Sequence, residues 1–352
     1  MPQTVAAYAA YGQAEALKPF DVERRDLREE DVEIDILYCG VCHSDIHTVN
    51  NDWGGSSYPV VPGHEIVGKV ARVGSAVTRF QVGQHVAVGC MVDSCRKCNF
   101  CERDLEQHCT SGFTGTYGGK DRVDGTTTYG GYSQKVVVAD KFVLSMPEGL
   151  DLAAATPLLC AGITTYSPLR RFKCGPGKKV AVVGLGGLGH MALKLAHAMG
   201  AEVTLFTRSP GKEADARRLG ASNVIISSDP EAMKAAANTF DLIVDTVPYD
   251  HDLNPYIATL NCVGTISVVG YLGPLGTTLN TAPLVFQSKG VVGSLIGGIA
   301  ETQEMLDFCG EKKVVSDIEM IKMEEINVAY ERMMKSDVKY RFVIDISSLN
   351  KN

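Results

Sequence analysis

Residues 179–200 read KVAVVGLGGLGHMALKLAHAMG, and this stretch decides the fold. It opens on Val180, Ala181, Val182 and Val183, a short, mostly β-branched apolar run of the kind that forms a strand buried on both faces. The run breaks at Gly184 and passes through Leu185-Gly186-Gly187-Leu188-Gly189 into a stretch of alanine, leucine and methionine, good helix formers, with Gly200 as a stop signal. Strand, glycine turn and helix in that order form a setting for a dinucleotide. The glycines allow a tight turn and close backbone approach, and the helix start turns unpaired N–H groups and a positive dipole toward a pyrophosphate.

Working outward, the alternation of strand and helix continues. Strands are expected at Glu202–Thr207, Asn223–Ile226, Phe240–Asp245, Thr265–Gly270 and Val291–Leu295, with a helix ending at Leu219–Gly220, which predicts a doubly wound parallel sheet. Upstream of about residue 150 the texture is different: short β-rich runs at Val32–Tyr38, Ile66–Val73, Gln84–Val88 and Tyr132–Val138 are punctuated by Gly, Pro and Asp, as in a barrel or sandwich. The small apolar stretch LAAATPLLCAGITTYSPL, 152–169, reads as helical. After Gly297–Gly298 come helices over Thr302–Cys309 and Glu324–Ser336 and a strand over Arg341–Ile346, a tail too short to fold alone and expected to complete the first domain.

The nucleotide is read at the end of the second strand. An acidic residue there, roughly 20 positions beyond the glycine turn, would hold the ribose 2′-hydroxyl of NAD. The chain has Thr207-Arg208-Ser209-Pro210-Gly211-Lys212, with no carboxylate and with groups that suit a 2′-phosphate, so NADP(H) is expected.

Composition excludes several classes. In 352 residues, Lys+Arg 34 against Asp+Glu 41 gives a net charge of −7, which offers no basic face for nucleic acid and no cationic belt for a membrane. No apolar stretch approaches the ~18 residues of a spanning helix, and the first 20 residues lack the pattern of a secretory signal, so a cytoplasmic protein is expected. Eleven cysteines are too many to be incidental and, in a chain of this length, are not needed as disulfide staples.

Four of them form Cys95-x2-Cys98-x2-Cys101-x7-Cys109. Four thiolates at this spacing can enclose one zinc ion with no open position, a purely structural site; an iron–sulfur cluster, a redox pair or unrelated thiols are the other readings. A second, dispersed group comprises Cys42-His43-Ser44-Asp45-x-His47, Gly63-His64-Glu65 and Cys160. Each piece is weak alone, since a lone His-Glu pair is usually a turn and a lone Cys usually packs in a core. Together, beside a nucleotide fold, they suggest a metal centre with a vacant position.

These residues, with PGHEIVG at 62–68, GGYSQ at 130–134, PLLCAGITTYSPL at 157–169, GLGGLGHM at 184–191, GSLIGGI at 293–299, ETQEMLDF at 301–308 and YRFVIDI at 340–346, make the chain similar over its whole length to the zinc-dependent medium-chain alcohol dehydrogenases. It most resembles their cinnamyl-alcohol-dehydrogenase-like, NADP-dependent aldehyde reductase branch. The resemblance implies an α/β protein: a GroES-like, β-rich catalytic domain from residues 1–160 and 295–352, and a Rossmann domain, a doubly wound parallel sheet, from 161–294. It implies two zinc ions, one held by Cys42, His64 and Cys160, the family's catalytic ligand set, the other by the four-cysteine loop.

The resemblance also implies roles. Asp45 orients His64, Glu65 is a carboxylate that can approach the metal, and Ser44 and His47 pass the proton; His47 could instead be a surface histidine on the turn. His43 touches the pyrophosphate and Thr164 lies by the nicotinamide. Gly184, Gly186, Gly187, Leu188 and Gly189 cradle the dinucleotide, with Thr207, Arg208, Ser209 and Lys212 at the 2′-phosphate. Trp53 and Cys90 align with the substrate pocket, or are core residues. Gly115, before Thr116-Tyr117, stands where plant enzymes acting on lignin precursors often carry a bulky aromatic, which favours a broad aldehyde or alcohol substrate range. A homodimer or homotetramer is implied, with Val291–Leu295 as the candidate edge. An NAD-dependent alcohol dehydrogenase and a catalytically silent NADPH-binding relative are the alternatives.

Overall fold

The computed structural model describes residues 3–271 and 273–349. Two compact units are present, Met1–Cys160 with Gly297–Asn352, and Ala161–Ile296. The return to the first unit comes at Gly297 rather than at 295, because Leu295 and Ile296 follow on directly from the last strand of the second unit, Gly290–Gly293.

The first unit is built around the ten-residue strand Asp31–Gly40, whose Val32, Ile34 and Ile36 are buried. Its sheet runs Ile318–Lys322, Arg341–Asp345, Asp31–Gly40, Ile66–Val73, His85–Val88, Leu144–Ser145, with Lys135–Ala139 also paired to Asp31–Gly40. The C-terminal tail does return: Val343, Ile344 and Asp345 lie antiparallel to Gly40, Cys39 and Tyr38. Elements without a sequence signal include the hairpin of Gln3–Ala9 with Lys18–Arg24 and the strand Ile318–Lys322, which pairs parallel with Arg341–Asp345.

The expected strand over Tyr132–Val138 begins only at Lys135. Residues before it form a loop instead, because the Gly130, Gly131 and Tyr132 N–H groups are taken by the carbonyls of Val61, Gly63 and Pro62 at 2.8, 2.8 and 3.0 Å. A Cβ at Gly130 would lie 2.2 Å from the Pro62 carbonyl oxygen, so only glycine permits this approach. The loop thereby fixes the turn that carries His64.

The second unit is a six-stranded, all-parallel sheet ordered Asn223–Ile226, Glu202–Thr207, Lys179–Val183, Phe240–Asp245, Leu260–Val268, Gly290–Gly293. Numbered by appearance the order is 3-2-1-4-5-6, that of a dinucleotide-binding fold, with its switch point between Lys179–Val183 and Phe240–Asp245. The fifth strand starts at Leu260, earlier than expected, because Leu260 pairs with Phe240 before an irregularity and the ladder resumes at Thr265. Phe206 and Phe240 meet edge to face, centroids 5.4 Å apart, inside a core with Ile243, Leu260 and Ile266. Among the described residues no single helix is long and apolar enough to cross a membrane.

Candidate active site and coenzyme site

Cys42 lies just before the helix His43–Asn50, which the sequence reading did not assign. The helix starts on a reciprocal cap: Asp45, in its first turn, accepts the Cys42 N–H on Oδ2 at 2.9 Å. The same fully buried carboxylate accepts the Gly63 N–H on Oδ1 at 3.1 Å and the Tyr132 hydroxyl on Oδ2 at 3.1 Å, and its Oδ1 lies 3.4 Å from His64 Nδ1. The Tyr117 hydroxyl is 3.2 Å from the same Nδ1, its ring stacked on the imidazole at 5.6 Å, and Tyr330 donates to the Tyr132 hydroxyl at 3.4 Å. Asp45 thus ties together the turn, the helix start and the histidine.

With Nδ1 facing Asp45, the His64 lone pair belongs on Nε2, which is buried and has no protein partner. Burial alone would lower the His64 pKa, but Cys90 and Asp45 raise it, and a more basic imidazole is a better metal donor. Donor atoms of Cys42, His64, Glu65 and Cys160 all lie within 4.8 Å of one another. The Cys42 and Cys160 sulfurs are 3.8 Å apart, the separation of two tetrahedral ligands each ~2.3 Å from one zinc ion. The orphaned nitrogen and the sulfur spacing both fit zinc.

Cys160 reaches this position because the predicted helix over 152–169 is broken. It becomes a helix Leu152–Ala155, a 3-10 turn Thr156–Leu159 and a helix Ala161–Arg171, with Cys160 between them at φ −128°, ψ −68°. Hydrogen bonding from Cys160 draws the Cys42 pKa well down, while the same contact, together with Cys90 and burial, pushes the Cys160 pKa well up.

Glu65, fully buried, forms an ion pair with the buried Arg341, from the returning C-terminal strand. Burial alone would lower the Arg341 pKa, but Glu65, Cys42 and Cys160 hold it above its ordinary value. Glu65 Oε2 is buried without a partner. Arg341, Tyr117, Tyr132 and Tyr330 were missed from sequence. Tyr117, Tyr132 and Arg341 sit inside quoted motifs that gave them no role, whereas nothing near Tyr330 marks it.

The other residues named from sequence take varied positions. Ser44 Oγ lies 3.7 Å from Cys42 Sγ. His47, half-buried, holds Asp52 at 2.8 Å through Nδ1 and packs against Trp53 with ring centroids 5.1 Å apart. Trp53 is 52% exposed, which excludes the core reading. Cys90, half-buried, has its sulfur 3.7 Å from the Leu159 carbonyl, one residue before Cys160. His43, the first residue of its helix, is exposed, and Thr164 is buried in the helix Ala161–Arg171.

The four-thiol loop closes as its spacing predicts, with Cys95, Cys98, Cys101 and Cys109 sulfurs within 4.8 Å of one another. Cys109 Sγ accepts the Cys95 N–H at 3.3 Å, the usual support for a thiolate ligand. The loop is pinned to the start of the helix Ile299–Lys312: Glu106 accepts the Ile299 N–H at 3.1 Å, and a Cβ at Gly298 would lie 1.9 Å from the Asp104 carbonyl oxygen.

In the second unit the glycine turn is as expected. Gly184 has φ +89°, open only to glycine at low cost. A Cβ at Gly189 would lie 2.1 Å from the Gly184 carbonyl oxygen, while one at Gly186 would meet nothing within 4 Å, leaving room for a phosphate. Gly187 and Leu188 open the helix Gly187–Ala198 with no side-chain cap, so its first N–H groups face outward. At the end of the second strand, Thr207 is buried and its Oγ1 accepts the Ser209 N–H at 3.1 Å, while Arg208 and Ser209 are exposed. Lys212 donates to the Leu185 carbonyl at 3.0 Å, so a cation sits against the glycine turn itself.

Comparison with known proteins follows this geometry. Residues 28–148 match the alcohol dehydrogenase GroES-like domain and residues 187–311 the zinc-binding dehydrogenase domain. The chain is 54% identical over 347 residues to the NADP-dependent alcohol dehydrogenase C 1 of Mycolicibacterium smegmatis, covering 98% of this chain and 99% of that one. A cinnamyl alcohol dehydrogenase from Sorghum bicolor superposes with a TM-score of 0.95 at 45% identity, over 99% and 100% of the two chains. The CAD from Helicobacter pylori complexed with NADP(H) does so at 0.91 and 40%, over 99% of each. A buried Cys-His-Cys centre, a closed four-thiol loop and a glycine-turn coenzyme fold therefore place the chain in the zinc-binding alcohol dehydrogenase family.

Proposed function

We propose that this chain is a zinc- and NADP(H)-dependent alcohol dehydrogenase that also works as an aldehyde reductase of broad specificity, interconverting a primary alcohol and an aldehyde. The carrying observation is the orphaned, buried His64 Nε2 beside two sulfurs at tetrahedral spacing. When bound, the zinc ion polarises the substrate oxygen and the nicotinamide exchanges hydride with the adjacent carbon.

The chain's own residues do the rest. Cys42, His64 and Cys160 hold the metal, and Asp45 keeps the His64 proton on Nδ1 so that Nε2 can bind. The Ser44 hydroxyl, beside Cys42, meets the substrate oxygen. His47, held by Asp52 and partly open to water, exchanges the proton with solvent. Glu65 stands ready to approach the metal while Arg341 balances its charge, and Trp53 and Cys90 border the substrate. Thr207, Arg208, Ser209 and Lys212 take the 2′-phosphate, the glycine turn and His43 the pyrophosphate, and Thr164 the nicotinamide.

We place the enzyme in the cytoplasm, where a four-thiolate zinc site stays reduced. We further propose self-association through the sheet edge Gly290–Gly293, flanked by Val285 and Phe286, 72% and 85% exposed on the helix Ala282–Phe286. Sedimentation of Phe286→Asp tests this, and an unchanged oligomer rejects it.

Initial rates on a panel of aldehydes with NADPH and with NADH, alongside zinc analysis, test the whole reading. Two zinc equivalents and an NADPH preference of about tenfold or more are expected. Rates with NADH as high as with NADPH overturn the 2′-phosphate assignment in favour of an NAD enzyme. Absence of turnover across the panel favours the silent relative.

A further inference from the structure

Arg208 is an exposed arginine at a strand end, the kind of side chain that ordinarily samples many rotamers and must be ordered when a ligand arrives. Here it is already engaged. Its guanidinium donates to the Tyr249 hydroxyl at 2.9 Å, and its central carbon lies 5.9 Å from the centre of the same ring. Tyr249 is 52% exposed, so core packing does not account for its position. It comes from the loop that follows the strand Phe240–Asp245, on the far side of the switch point from Arg208.

That loop is fastened at its base. Asp245, fully buried at the strand end, accepts the Val247 N–H on Oδ1 at 3.2 Å and pairs through Oδ2 with His251 Nε2 at 3.1 Å. The other imidazole nitrogen, Nδ1, lies 2.9 Å from the Tyr249 carbonyl oxygen. Nε2 of His251 is within ion-pair distance of Asp245 Oδ2, although neither atom has an aligned hydrogen-bond partner, and the carboxylate raises the His251 pKa. The carboxylate fixes the imidazole, the imidazole fixes the Tyr249 backbone, and the Tyr249 ring fixes the guanidinium.

We infer that Tyr249 is a coenzyme-specificity residue, positioning Arg208 for the 2′-phosphate of NADP(H), an inference that rests on the 2′-phosphate reading above. A pre-ordered cation loses less freedom on binding, so the gain is confined to the coenzyme that carries the phosphate.

The test is calorimetric titration of NADPH and NADH into the zinc-loaded, full-length wild type and into Tyr249→Phe, Tyr249→Ala, Arg208→Ala and the Tyr249→Ala/Arg208→Ala double variant. Tyr249→Ala is expected to weaken NADPH about tenfold and NADH by less than about twofold. Tyr249→Phe, which keeps the ring, falls between wild type and Tyr249→Ala. The double variant binds NADPH no more weakly than Arg208→Ala, because Tyr249 acts through the arginine. Equal loss of both coenzymes, no loss of NADPH, or a second loss in the Arg208→Ala background overturns the inference. A wild type that binds NADH as tightly as NADPH instead overturns the 2′-phosphate reading.

Discussion

Replacing Asp45 with asparagine changes one oxygen into an NH2 group at a position with 0% exposure, and the four groups around it fix the outcome. If the amide nitrogen takes the place of Oδ2, it faces the Cys42 N–H at 2.9 Å, donor against donor; the Tyr132 hydroxyl can rotate to accept, but the backbone cannot. If it takes the place of Oδ1, it faces the Gly63 N–H at 3.1 Å and His64 Nδ1 at 3.4 Å. Either way one buried backbone donor is stranded, at about 1–3 kcal/mol, and the remaining bonds lose the strength a charged acceptor gives them. A total near 3 kcal/mol corresponds to a fall in Tm of roughly 6–12 °C. The imidazole also loses the carboxylate that makes it a strong donor, so zinc affinity should fall about 10- to 100-fold. Calorimetric unfolding gives the first quantity, and competition with a chromophoric chelator gives the second. A variant with lowered Tm but zinc affinity within about twofold of wild type would show that Asp45 serves the fold alone. If neither quantity moves, the carboxylate network described here is wrong.

Further outcomes are expected. Cys160→Ser should lower the zinc content from two equivalents to one and abolish nearly all turnover while Tm stays close to wild type, checked by metal analysis and calorimetry. Cys98→Ser should also lose one equivalent, but with a lower Tm and aggregation, since the closed loop depends on its ion; unchanged thermal stability would contradict the structural role. Gly189→Ala places a methyl group 2.1 Å from the Gly184 carbonyl oxygen, so helix and strand must part. It should cost about 1–3 kcal/mol and weaken both coenzymes alike, as titration of NADPH and NADH would show.

The second unit was nearly transparent in sequence because parallel strands buried on both faces announce themselves as valine runs, and the glycines mark the turn. The main miss there, the early start of the strand at Leu260, came from Asn261 and Gly264, which read as turn residues but lie within an irregular ladder. In the first unit, edges and short strands carry mixed composition, so Gln3–Ala9 and Ile318–Lys322 left no pattern. The thiol loop was legible because its four ligands are local. The sulfurs proposed to hold the catalytic zinc, Cys42 and Cys160, stand 118 residues apart in sequence and 3.8 Å apart in space, and only the family resemblance linked them beforehand. Nothing local says that the Arg341 strand pairs beside Asp31–Gly40, so the partner of Glu65 was invisible. The break before Cys160 did carry a local signal, Pro157 at the start of the 3-10 turn, which cannot continue the hydrogen bonding of the helix before it.

Arg341 reaches Glu65 across 276 positions of sequence. During synthesis the ribosome makes everything between them first, including the whole coenzyme-binding half, before the last strand of the metal-binding half exists. Until then a nascent chain carries Glu65 beside an incomplete sheet, without its cationic partner Arg341. The coenzyme-binding unit, Ala161–Ile296, is thus complete in sequence before the strand that closes the pairing around Asp31–Gly40 has been made.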